Sequence, residues 1–157
     1  MSLEKEIEDA RRKVNTDQYA MSIGEIVTMY EKKEFVINPS FQRLFRWEDH
    51  QKSKFIESIL PGIPIPPVFV FETDKAQWEL IDGLQRLSTI LEFMGLLLAP
   101  KTNKPVDASS LSATNHLPSL NGAQWGDHKR FPQDTSIYVS SCSLKHPNIK
   151  ETKRCEY

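Results

Sequence analysis

Apolar residues recur at helical spacing in three stretches of the chain. Ile23, Ile26, Val27 and Tyr30 fall at i, i+3, i+4 and i+7, which predicts one helical face. Ser22, with Glu25 three residues on, forms a capping box in front of it. Phe55, Ile56, Ile59 and Leu60 make a second stripe. Trp47-Glu48-Asp49 opens that helix with acids in its first turn, and Pro61-Gly62 stops it. Leu84, Leu87, Ile90, Leu91 and Met94 make a third, with Gly95 as its C-cap. Between the stripes, Phe35–Ile37, Val68–Phe71 and Trp78–Ile81 read as strands. Asp74-Lys75 is the turn of a hairpin joining the last two. Pro39 breaks the first strand. Pro64, Pro66 and Pro67 set an extended entry to the second.

Outside these stretches the pattern weakens. Residues 3–14 read as a short charged surface helix. After Leu98 the chain turns rich in Pro, Asn, Ser, Thr and Gly, with one weak strand at Thr135–Val139. The last dozen residues are polar and predict no packed element. The expected fold is α/β (α+β), a small sheet with helices packed on it. Residues 1–20 are read as an N-terminal helix or arm, 21–98 as the core, and 99–157 as a loop-rich remainder of the same domain.

Composition narrows the function classes. The 157 residues carry 20 Lys plus Arg against 21 Asp plus Glu, a net charge of −1. That balance gives no global reason for non-specific nucleic-acid binding. Four widely spaced histidines and two isolated cysteines, Cys142 and Cys155, form no zinc-binding pattern. The cysteines are read as spectators. The N-terminus has no apolar signal core, and no apolar run is long enough to span a bilayer. The expected location is the cytoplasm, with no membrane partner.

The chemistry concentrates where the third strand runs into the third helix, at IDGLQR, residues 81–86. A helix N-terminus presents unpaired N–H groups and the positive end of the dipole, which suits an anion. Gly83 lets the chain turn and lets a ligand approach the backbone. Arg86 can offer a bidentate fork to phosphate. Gln85 can orient a phosphate oxygen or a water. Asp82 can hold Mg²⁺ beside phosphates. The structural alternative is that Asp82 caps the helix and Arg86 is its i+4 ion-pair partner. A second cluster, NPSFQRLFRW at 38–47, carries Gln42, Arg43, Arg46 and Trp47. Its arginines and amide can hold a phosphate chain, or be surface groups on a loop. Phe41 and Trp47 are expected in the core, and Glu57 and Ser58 to be solvated or capping.

These motifs, P-x-F-Q-R-x-x-R-W, F-I-E-S-I-L, P-I-P-P-V-F-V and I-D-G-L-Q-R-L-S-T-I in that order, resemble the N-terminal domain of the GmrSD type IV restriction family. The resemblance covers about residues 20–95. The hallmark of that family is a DGQQR motif, and its superfamily is ParB/sulfiredoxin. The resemblance implies a domain that binds or hydrolyses a nucleoside triphosphate with Mg²⁺, coupled to cleavage of foreign modified DNA. It carries the hallmark onto Asp82, Gly83, Gln85 and Arg86, and the second polar signature onto Gln42 and Arg43, with Arg46 close by. Both segments are then expected to line one pocket. Leu84 stands where the hallmark has its first Gln, a departure that bears on hydrolysis more than on binding. Fuller members carry a C-terminal HNH-type nuclease domain. No such cluster is in this sequence, so DNA contact is expected only through that domain or a partner subunit. Besides a triphosphatase component, the sequence allows a nucleotide-switched module without turnover, or an inactive truncated fragment.

Overall fold

The computed structural model describes residues 2–42, 46–73, 75–127 and 142–149. Five strands form one mixed sheet in the order β1-β5-β3-β4-β2. The chain begins with α1 (Leu3–Lys13) and runs directly into β1 (Val14–Met21). Helix α2 (Ile23–Glu31) follows. Its start is fixed by the expected capping box: the Glu25 amide donates to Ser22 Oγ, and the Ser22 amide donates to the Glu25 carboxylate at 2.6 Å. Next come β2 (Phe35–Val36), the single turn α3 (Pro39–Gln42) and α4 (Asp49–Ile59). Strands β3 (Val68–Glu72) and β4 (Trp78–Asp82) form the expected antiparallel hairpin. Helix α5 (Leu84–Phe93) leads into the long loop, and β5 (Cys142–Ile149) lies between β1 and β3.

One core joins these elements. Val68 and Val70 share a face of β3, and Leu80 faces them from β4. They pack with Ile23 and Ile26 of α2, Ile56 and Ile59 of α4, and Leu87 and Leu91 of α5, all buried. Phe55, Leu60, Leu84 and Met94 of the expected stripes are half-buried against the same cluster. Trp47 is also half-buried and meets Phe55 edge-on, ring centres 5.4 Å apart.

Three expectations are corrected. Residues 14–21 are a strand paired residue for residue with β5, not part of a helical arm. Asn15, Asp17 and Gln18 hide that strand from any apolar pattern, because an edge strand is held by its backbone ladder. Residues 146–149, expected to lack packed structure, complete β5. The expected strand at Thr135–Val139 lies outside the described residues, as do the Phe41 side chain and residue 74 of the hairpin turn. Among the described residues, no helix is long and apolar enough to cross a membrane.

Glu57 is the third correction. It is buried on α4 rather than solvated. Its Oε1 accepts the amides of His116 at 2.8 Å and Leu117 at 2.7 Å. One turn earlier, buried Ser53 Oγ accepts the Ser112 amide at 2.8 Å. These two polar anchors, with buried Leu111, Leu120 and Ala123, hold the otherwise irregular stretch after residue 98 onto the domain. Burial pushes the Glu57 carboxyl up. The Thr114 hydroxyl, the two amides and the His116 charge outweigh it, so the pKa lies below the ordinary carboxylate value. A lowered folded pKa stabilises the fold above the unfolded value, and that contribution is lost as pH falls through the folded pKa. Glu57→Gln is therefore expected to lower Tm at neutral pH, with the gap to wild type closing on acidification. Thermal unfolding of both proteins across the carboxylate range checks this; a constant gap would contradict it.

Candidate functional site

The IDGLQR turn is built on a close approach of β3 to the start of α5. Gly83 is the N-cap of α5 at φ 98°. A Cβ there would lie 2.3 Å from Val68 Cγ1 and 2.9 Å from Val68 Cβ. Only glycine fits both the left-handed backbone and the space. Because the N-cap has no side chain, the first-turn amides of α5 receive no side-chain cap. Asp82 is thus the last residue of β4 and not the helix cap.

Arg86 sits one turn into α5. Its Nη2 donates to the Pro67 carbonyl at 3.1 Å and lies 3.5 Å from Asp82 Oδ2. The i+4 ion pair of the structural alternative is therefore present. The Arg86 side chain is 22% exposed and that of Asp82 67% exposed. The buried Arg86 Nε has no hydrogen-bond partner. Beneath the guanidinium lies an apolar cavity of about 20 Å³, lined by Ile23, Ile26, Val68 and Leu87 among others. It has room for a water and no more, so a larger anion has access to Arg86 only from the outer face.

Gln85 reaches the other way. Its Oε1 accepts the amides of Arg46 and Trp47, both at 3.1 Å. Four residues earlier, Gln42 Nε2 donates to the Leu98 carbonyl, just beyond α5. Gln42 is therefore tied just beyond the end of α5 and the 46–47 backbone to its first turn, and the FQR…RW and IDGLQR motifs meet at Gln85. Arg46 is exposed beside that junction. Arg43 lies outside the described residues. Gln42 stands at the opposite end of α5 from Arg86, so the two motifs meet without all their polar groups converging on one pocket.

Among the described residues, no group of three or more His, Cys, Asp or Glu side chains is placed to hold a metal. Mg²⁺ needs no such cage: it keeps several waters and takes one or two carboxylates with substrate phosphates. The single exposed carboxylate of Asp82 fits that mode.

The family model for the GmrSD restriction endonuclease N-terminal domain matches residues 23–154. The chain belongs to this family. That match takes in β5, the strand least visible in the amino-acid pattern. No curated protein and no solved structure matches the chain. As a GmrSD N-terminal domain, the chain is a component of a restriction system.

Proposed function

We propose that this GmrSD domain binds a nucleoside triphosphate with Mg²⁺ at IDGLQR and hydrolyses it, in support of DNA cleavage by a nuclease domain or subunit outside this chain. The observation that carries the reading is the uncapped start of α5 on Gly83 with Arg86 one turn in. Uncapped amides and a nearby guanidinium together form an anion site. Arg86, with Arg46 and Arg43 from the second motif, would neutralise charge that builds on the transferring oxygens. Asp82 would hold Mg²⁺, and the ion would supply positive charge to stabilise the phosphates during transfer. The phosphates would lie along the outer face of the turn, since the cavity beneath Arg86 is too small for them.

One observation favours a second reading, a nucleotide-switched module without turnover. Gln85 Oε1 already accepts two backbone amides, so that oxygen is engaged in holding the 46–47 segment rather than in orienting a water. DNA contact in either reading is indirect.

Thermal unfolding with each nucleoside triphosphate plus Mg²⁺ tests the site. Ligand at roughly 100 times Kd adds about 2.7 kcal/mol, a rise in Tm on the order of 5–10 °C for a domain of this size. The rise is expected with at least one nucleotide and lost in Arg86→Ala. No rise from a cooperatively folded sample would sink the nucleotide reading. Phosphate release under the same conditions then separates hydrolysis from switching.

A further inference from the structure

Helix α1 stands off from the core. Residues 2–9 are all exposed, Leu3 at 71% and Ile7 at 43%. The family match begins at residue 23, so α1 lies outside the matched span. The helix starts regularly: the Glu6 amide donates to the Ser2 carbonyl at 3.2 Å, and Glu4 and Glu6 lie at the positive end of its dipole. Yet a helix of 11 residues is marginal in water alone, and most helical stability in proteins comes from packing an apolar face. Leu3 and Ile7 leave theirs in solvent.

The sequence of α1 has the spacing of a coiled-coil seam. Leu3, Ile7 and Ala10, with Val14 at the junction with β1, are separated by 4, 3 and 4 positions, the alternation of a heptad's two core positions. The positions flanking that seam hold Glu4, Glu6, Arg11 and Lys13, acidic in the first half and basic in the second. An antiparallel copy with Ile7 opposite Ala10 and Leu3 opposite Val14 sets Glu4 against Arg11 and Glu6 against Lys13, twice over by the two-fold symmetry. Every flanking pair is then attractive. A parallel copy sets only Glu6 against Arg11 and lays the acidic halves side by side. A lipid surface fits poorly, because interfacial helices carry Lys and Arg on their polar face. Positions 4–9 hold Glu4, Glu6, Glu8 and Asp9 against Lys5 alone.

We propose that α1 is a self-association element, which pairs antiparallel with α1 of a second copy of this chain and buries Leu3 and Ile7. The seam is short, so the dimer is weak and forms with rising concentration. Neither IDGLQR nor a nucleotide is involved, and the proposal stands apart from the triphosphate reading.

Sedimentation equilibrium of the full chain across the micromolar to millimolar range tests it, and should show monomer passing to dimer. Ile7→Glu should weaken the association about tenfold or more. Lys5→Ala, on the face away from the seam, should leave it unchanged. Glu4→Lys should weaken it about tenfold, and adding Arg11→Glu should restore it, since the pair is then reversed rather than lost. In a parallel dimer the second substitution would instead set two acids against each other and weaken it further. Glu4, Lys5 and Ile7 are exposed, so replacing them removes no core contact. A dimer indifferent to Ile7→Glu, or no rescue by Arg11→Glu, would overturn the proposal. So would a monomer at every concentration; Ile7-dependent binding to phosphatidylserine vesicles would then assign the stripe to lipid.

Discussion

Gly83→Ala is expected to lower stability by about 2–5 kcal/mol. Two effects add at this position. A left-handed backbone costs a residue with a Cβ roughly 1–2 kcal/mol. The new methyl would also sit 2.3 Å from Val68 Cγ1, and overpacking a tight contact costs about 1–3 kcal/mol more. For a domain of this size Tm should fall by roughly 5–20 °C. Gly62 supplies an internal comparison. It has φ 85° with nothing within 4 Å of its Cβ position, so Gly62→Ala carries only the backbone cost. Thermal unfolding of both variants should show Gly83→Ala clearly the worse. Equal losses would mean that the close approach of β3 to the turn contributes nothing.

Lys52→Met is expected to cost about 2–4 kcal/mol. Lys52 Nζ lies 2.9 Å from Glu92 Oε1 across the α4–α5 interface, and the two side chains are only 14% and 13% exposed. The buried Glu92 Oε2 has no hydrogen-bond partner. Removing the ammonium leaves that carboxylate in a poor environment with its main compensation gone, and breaking a buried pair from one side is costly for this reason. Replacing both partners removes the stranded charge along with the attraction. The double variant Lys52→Met/Glu92→Met should therefore recover most of the loss, to within about 1 kcal/mol of wild type. Urea unfolding of the two single variants and the double variant measures the coupling. Additive losses would refute the buried-pair account.

The elements that position the site were legible wherever burial imposes a period. The stripes on α2, α4 and α5 and the β3–β4 hairpin follow from which residues face the core. Gly83 was legible as a turn, but its contact with Val68 was not, since Val68 lies fifteen positions earlier and no local rule joins them. The burial of Glu57 was equally hidden. A lone Glu on a helix reads as solvated until the amides of His116 and Leu117 come round to meet it. Gln85 and Gln42 read as ligand-facing amides because their types suit that work; tertiary partners engage one amide atom of each. Strands β1 and β5 carried no periodic signal. They are joined by a backbone ladder, which polar residues and even Pro147 accommodate.

The strand order has a consequence for how the chain is made. β1 precedes the other strands in the chain, yet its neighbour in the sheet is β5. The first strand must wait for more than a hundred residues of synthesis before it can pair, while the β3–β4 hairpin and the helices around it can assemble on local contacts. Until β5 arrives, β3 presents an open edge, the kind of surface that invites pairing with another chain. The sheet is thus closed from its far side only once β5 has been made, and the interval before closure is when the nascent protein has most need of a chaperone.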